Sequence, residues 1–376
     1  METRESIAPP SFDDELAYRR ELVEPCVVVL AESLRDEAAQ HGPDMAAAAA
    51  SYLSLFEQPG KRTRGVLTVL GYELFGGSAD DEAIASAAAI VEAMHAYLLV
   101  IDDVQDQSDT RRGNPTAHVY MDRYLQQTQA TGNTKTLGEN VANTAALWAQ
   151  HRAHKVLRHV ELPLEDRDEA LRRKDLAGDI LDDGLALTGV GQILDLFSTA
   201  RPDMSLADAQ KIAVYKTAFY SYLLPLQVGA ALAGASREQL EALQDYALEA
   251  GLAFQMQDDL IGSFSTEEQT GKPPKNDMVE GKRTILFLTA MDLADDEQRK
   301  VLEDALGNAD LTDEAFAESL AVIQATGAYD EVALWKEVYV RRAIDAIEQA
   351  GSSNGWPWPQ VQFLKDMALY GANRSR

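Results

Sequence analysis

The sequence predicts an all-α protein built as one large helical bundle, on three observations. Long stretches rich in Ala, Leu, Glu, Gln and Arg recur between widely spaced breakers, the composition helices favour. Period-2 runs of β-branched residues, the mark of half-buried strands, are hard to find. With 46% hydrophobic and 25% charged residues over 376 positions, the chain can bury a sizeable core, and wholesale disorder is excluded.

Taken in order, residues 1–12 read as a loose tail, and residues 13–376 as a single domain, since no Ser/Gly linker or charge block divides them. Ala83–Val104 is one long apolar helix. The polar, Gly- and Thr-rich stretch Gln126–Glu139 is a loop. Leu206–Gly234 is a helix kinked at Pro225, and Leu240–Ile261 is a third long apolar helix. The remaining prolines considered, among them Pro43, Pro59, Pro115, Pro163 and Pro202, fall where connections belong. Ala218–Ser236 is uncharged for about the length of a membrane span. Ser221, Pro225 and Gln227 interrupt it and Lys216 abuts it, so it reads as a buried core helix, and no span is expected.

Charge and cysteine content narrow the function. The 34 basic and 61 acidic side chains leave a net charge of −27. Such a chain repels phosphate backbones and anionic lipid, which argues against nucleic acid and membrane surfaces as partners. Any anionic ligand must be held by local basic clusters. The single cysteine, Cys26, excludes an internal disulfide framework and a Cys-rich metal site. The N-terminus carries Glu2, Arg4, Glu5, Asp13, Asp14 and Glu15, with no apolar core of a signal peptide. A cytoplasmic location is the expectation.

Adjacent aspartates arise by chance in so acidic a chain. Asp13-Asp14, Asp80-Asp81, Asp182-Asp183 and Asp295-Asp296 are read as solvated surface. Asp102-Asp103 differs, because the apolar run Tyr97–Ile101 precedes it and places both carboxylates at the end of a core helix. Charge there is costly without a cation or hydrogen bonds. Asp106, four residues after Asp102, shares its face. Two hard carboxylates at that spacing suit Mg²⁺ that also takes ligand phosphates and water, although an acidic helix end would look the same. A second apolar helix runs into Asp258-Asp259. Around these lie Arg111-Arg112-Gly113, Gly60-Lys61-Arg62-Thr63-Arg64, Lys216-Thr217, Gly271-Lys272 and Glu280-Gly281-Lys282-Arg283-Thr284. Arginine forks and helix starts both bind diphosphate. The composite is two carboxylate clusters ringed by bases at the mouth of an apolar bundle, a site for Mg²⁺-bridged diphosphates with greasy tails.

The segments LLVIDDVQDQSDTRRG, PGKRTRG, GQILDL (191–196), YKTAF (215–219) and FQMQDDLIGSFSTEEQTGKPPKNDMVEGKRT resemble the ordered motifs of trans-isoprenyl diphosphate synthases (the polyprenyl synthetase family, here geranylgeranyl diphosphate synthase-like) from about residue 55 to 290. The resemblance implies an isoprenoid-synthase-type bundle around a deep central cavity and a homodimer. It implies Mg²⁺-dependent head-to-tail prenyl transfer, in which isopentenyl diphosphate attacks the cation left by ionisation of an allylic diphosphate. By the same resemblance three Mg²⁺ ions act at each site and Asp102, Asp106 and Asp258 hold metal, with Asp103 and Lys216 also catalytic. Arg111, Lys216, Thr217, Gln255, Lys272 and Lys282 would bind the allylic diphosphate. Lys61, Arg64, His95 and Arg112 would bind isopentenyl diphosphate. His95 matches the family histidine seven positions before Asp102, although a lone helical histidine is more often a core residue. His151 and His154, which share a helix face, read as surface.

The basic loop departs from the family pattern, with Pro59 before Gly60 and Gly65 after Arg64, and the second acidic motif ends in Gly262 in place of a third aspartate. Residues 120–160 fit the pattern poorly. A class I terpene cyclase is the nearest rival, but after Asn276-Asp277 come Glu280 and Thr284, which break its second motif. A non-catalytic subunit or Ca²⁺ scaffold conflicts with the intact acids and bases and lacks an EF-hand loop. Product length rests on Tyr97 and Leu98, five and four positions before Asp102. In the family one ring at the fifth position without a ring at the fourth goes with C20. Leu98 lies about 40° and Tyr97 about 140° round the helix from Asp102. The expectation is geranylgeranyl diphosphate, with farnesyl or longer products as the alternative.

Overall fold

A computed structural model describes residues 10–266 and 274–374. The start of the expected tail, residues 1–9, and Lys272 lie outside the described residues. The helices run α1 (Phe12–Ala39), α2 (Pro43–Phe56), α3 (Thr63–Leu74), α4 (Glu82–Gln105), α5 (Ala117–Gln127), α6 (Thr134–Leu157) and α7 (Arg167–Ser198). They continue with α8 (Leu206–Ala213), a π-helix (Val214–Leu223), α9 (Leu224–Ala233), α10 (Arg237–Glu241) and α11 (Gln244–Phe264). The chain closes with α12 (Asn276–Val279), α13 (Ile285–Leu293), α14 (Asp296–Ala305), α15 (Asp313–Ala325), α16 (Ala328–Asn354) and α17 (Trp358–Asn373). Among the described residues the only strands are β1 (Thr110–Arg111) and β2 (Asn114–Pro115), an antiparallel pair. All-α is therefore the fold.

Several local readings are corrected. The expected loop at 126–139 shrinks to 128–133, because Asn133 caps α6 by accepting from the Thr136 N–H. Leu206–Gly234 is not one helix kinked at Pro225. It is interrupted by the π-helix, and Pro225 sits in the first turn of α9, where its missing N–H costs nothing. Leu240–Ile261 begins later, at Gln244, and runs to Phe264. The aspartate pairs read as plain surface partly serve as caps. Ser11 with Asp14 and Asp295 with Gln298 form capping boxes, and Asp81 accepts a hydrogen bond from the Tyr72 hydroxyl.

Most of the core gathers in three regions. Tyr52, Ile84, Val91, Met94, Ala146 and Leu181 join α2, α4, α6 and α7. The buried Tyr52 hydroxyl is satisfied by the Ala93 carbonyl at 2.7 Å, fixing α2 to α4. Leu67, Tyr222, Leu226, Tyr246 and Leu364 join α3, α9, α11 and α17, and Met256, Leu286 and Val332 pack α11, α13 and α16. Among the described residues α4, and not the Ala218–Ser236 stretch, is long and apolar enough to cross a membrane, but 67% of its apolar window is buried inside the protein. It is the central core helix.

Candidate active site

α4 ends against its own electrostatics. Asp102, Asp103 and the C-cap Asp106 crowd the negative end of the helix dipole, with no basic residue in the last turn. Bases from elsewhere answer them. Lys216, from the π-helix, reaches Asp102 at 3.2 Å and Asp195 of α7 at 2.6 Å. Those carboxylates hold it charged despite its burial. Lys282 reaches Asp106 at 2.8 Å and Glu280 at 2.7 Å. Burial and then the charge on Asp102 push the Asp106 carboxyl upward, and burial pushes Glu280 up to about 7. The excess of carboxylate over base marks a place for further positive charge.

Asp103 faces inward, 1% exposed, and its two oxygens share the Arg111 Nε–H at 2.8 and 2.9 Å, with Nη2 2.6 Å from Oδ1. It positions Arg111 and does not present a free face to a ligand. Arg111 and the following arginine occupy a tight hairpin whose two central residues, Arg112 (φ 51°) and Gly113 (φ 75°), are both left-handed, as a type I′ turn requires. The turn aims Arg112 at the basic loop after α2, where its Nη1 donates to the Pro59 carbonyl at 3.4 Å.

The basic loop divides its labour. Arg62 is buried and left-handed (φ 48°), and it pairs with Glu24 at 3.0 Å and Glu92 at 3.7 Å. That anchor leaves Lys61 and Arg64 on either side. Lys61 lies over the Tyr370 ring at 5.1 Å. Arg64 donates to Ser221 at 2.7 Å and to His95 Nε2 at 3.2 Å. Arg64 can only donate, so Nε2 accepts and the neutral ring carries its proton on Nδ1, which faces the Tyr220 hydroxyl. Burial and the surrounding arginines push His95 well below its usual range. Its ring nitrogens are thus engaged in orienting Arg64 and Tyr220. Arg112 is likewise pushed down by burial and by Arg111, Arg62 and Arg64. Cations this crowded favour an anionic ligand. Arg64→Ala or Arg112→Ala should weaken binding of a diphosphate anion here about 10- to 100-fold, the worth of one hydrogen bond to a charged group. Titration with inorganic diphosphate checks this.

At the second acidic motif the two aspartates separate. Asp259 is buried, accepts from the Ile285 N–H at 3.0 Å and from Gln255 at 2.9 Å, and is pushed up to about 7 by burial. Thr217 donates to Gln255 at 2.7 Å, so Thr217, Gln255 and Asp259 form one relay from the π-helix to α13. Asp258 is 40% exposed and pairs with Arg374 beyond α17. Among the described residues no three His, Cys, Asp or Glu side chains converge as a ready metal cage. Paired, hard carboxylates without a cage still fit Mg²⁺, which commonly takes one or two carboxylates and completes its shell with ligand phosphates and water.

Residues not assigned from sequence also enter the site. Asp195 and Gln192 belong to the GQILDL segment, and Gln192 touches Asp102 at 3.4 Å and Gln105 at 2.7 Å. Their signal was a polar pair at i, i+3 on an apolar stretch. Tyr220, Ser221 and Glu280 lie beside assigned residues. Arg374 had no signal, since a terminal Arg-Ser-Arg looks like any tail.

Residues 45–323 match the model of the family described as Polyprenyl synthetase. A geranylgeranyl diphosphate synthase from Sulfolobus acidocaldarius is 29% identical over 322 residues, covering 85% of this chain and 89% of the relative. Farnesyl pyrophosphate synthase 1 from Lupinus albus is 27% identical over 342 residues, covering 85% and 92%. The crystal structure of a geranylgeranyl pyrophosphate synthase from Corynebacterium glutamicum, complexed with isoprenyl diphosphate and magnesium, has a TM-score of 0.87 at 28% identity, covering 96% of this chain and 99% of that one. Fold and site together define an all-α prenyltransferase, a trans-prenyl diphosphate synthase. The chain belongs to the polyprenyl synthetase family.

Proposed function

We propose that this enzyme condenses isopentenyl diphosphate with an allylic diphosphate, using Mg²⁺, to make geranylgeranyl diphosphate as its main product. The observation that carries this reading is the placement of two ion-pair groups at the end of α4, Asp102 with Lys216 and Asp106 with Lys282, beside a separate arginine cluster. One group suits a metal-bound leaving diphosphate and the other a second diphosphate. Asp102, Asp106 and Asp258 would hold Mg²⁺, three ions per site, which supplies counter-charge to the departing diphosphate. Lys216, Lys282 and Arg111 grip that diphosphate, and Arg64 and Arg112 hold the attacking substrate away from the metals. No side-chain nucleophile is required. Release of inorganic diphosphate should need both substrates together; release from the allylic substrate alone would favour a cyclase.

Product length follows the α4 face. Leu98, one turn before Asp102, leaves the channel open beyond C15. Leu98→Phe should therefore shift the main product to farnesyl diphosphate, as mass spectrometry of the products will show.

The enzyme is further proposed to be a cytoplasmic homodimer. Val190, Ile193 and Phe197 stand on one face of α7 and are 45%, 55% and 55% exposed. The same helix carries Gln192 and Asp195 to the site. Light scattering should give twice the chain mass, and Phe197→Glu should shift it to the monomer.

A further inference from the structure

We propose that Glu92, buried on α4, is a positioning residue that holds the basic loop in the shape that binds a diphosphate. This rests on the synthase reading above for the ligand and adds what presets the loop. α3 starts without a cap of its own. Its N-cap, Arg62, is left-handed and makes no side-chain capping bond, and its first turn carries no acidic residue. The first N–H groups of a helix have no partner within it and need one from outside. For Gly65, one of the departures in the basic loop, that partner is Glu92, whose Oε1 accepts the N–H at 2.8 Å. A carboxylate from a neighbouring helix thus caps α3, with the favourable sign for the helix dipole.

Glu92 is 4% exposed, an unfavourable place for a carboxylate unless it is compensated. Its second oxygen lies 3.7 Å from Arg62 Nη1, so it grips the loop on both sides of Thr63 and Arg64. The peptide between Arg64 and Gly65 is held from its other end too, because the Thr68 hydroxyl donates to the Arg64 carbonyl at 2.9 Å. Fixing that peptide fixes the Cα from which the Arg64 side chain projects. His95, three positions further along α4 and on the same side of it, meets the guanidinium of that arginine at 3.2 Å. One face of α4 therefore holds Arg64 by its backbone and by its tip. The approach is close: a Cβ at Gly65 would stand 3.3 Å from Glu92 Cγ and 3.2 Å from Val23 Cγ1. Arg62 is also paired with Glu24 at 3.0 Å, so a neutral side chain at position 92 leaves it a partner.

Calorimetric titration with inorganic diphosphate in the presence of chelator tests this, together with steady-state kinetics. Glu92→Met keeps the length of the side chain and removes the acceptor. It should weaken diphosphate binding about 10-fold and raise KM for isopentenyl diphosphate by as much, with kcat and the allylic KM within about twofold of wild type. Glu92→Gln keeps an acceptor for the Gly65 N–H and should bind diphosphate within about twofold of wild type. A purely electrostatic role predicts otherwise, since both changes remove the same negative charge beside a cationic cluster and would tighten binding alike. Circular dichroism shows whether each variant is folded. If Glu92→Met does not fold, Gly65→Pro takes its place: it deletes the donor in a first turn that tolerates proline and should weaken binding likewise. Unchanged binding in the folded variant overturns the inference, as do equal effects of Met and Gln, or a wild type that binds no diphosphate without metal. If the wild type makes no prenyl diphosphate, the synthase reading fails, while the titration still decides the role of Glu92.

Discussion

Asp102→Ala should reduce kcat by at least about 1,000-fold, with far less change in either KM. The carboxylate sits at the unfavourable end of α4, where it is compensated by Lys216 and faces Arg111 at 3.5 Å. We propose that a residue kept there against the helix dipole holds the Mg²⁺ that neutralises the departing diphosphate. Asp106→Ala should behave alike, because it holds the second cation, Lys282, at 2.8 Å. Asp80→Ala, whose carboxylate only accepts from Tyr18, is the control and should retain normal turnover. Steady-state kinetics at saturating substrates provide the check, and near-normal turnover in Asp102→Ala would remove the carboxylates from the chemistry.

Gly191→Ala is expected to have the second largest effect, through packing. A Cβ at Gly191 would stand 2.4 Å from the Lys216 backbone nitrogen, and one at Gly251 2.3 Å from the Ala218 Cβ. These glycines let α7 and α11 close on the π-helix from two sides. Its wide turns place Lys216 and Thr217 towards the carboxylates and Tyr220 and Ser221 towards Arg64, a common use of π geometry at functional sites. Forcing a methyl into that contact should cost about 3 kcal/mol of stability. A shift of about 1 Å at Lys216 should also lower kcat about 100-fold. Chemical denaturation and kcat measured together check both; wild-type values in both would show that the close approach is dispensable.

The legible parts of this protein are those with a local signal. α4 could be read because an apolar helical run ends abruptly in aspartates, and its bounds are nearly those observed. Arg111-Arg112-Gly113 was visible as a basic cluster, whereas its hairpin was not, since two-residue strands leave no periodicity. The π-helix was hidden because its residues are ordinary helix formers; only tertiary contact with Gly191 and Gly251 explains where it lies. Asp258 and Asp259 look equivalent in sequence, and the Ile285 N–H and Gln255 separate them in space. Lys216's second partner, Asp195, lies on α7, and no pattern within either segment links the two.

The central claim is that the aspartate–lysine pairs beside the arginine cluster serve to join two diphosphate substrates head to tail. The most direct measurement incubates the purified chain with Mg²⁺, isopentenyl diphosphate and farnesyl diphosphate, with a parallel sample containing chelator, and identifies products by mass spectrometry. Geranylgeranyl diphosphate formed only in the presence of metal is the predicted result. Hydrocarbon with free diphosphate, or no consumption of isopentenyl diphosphate, would contradict it.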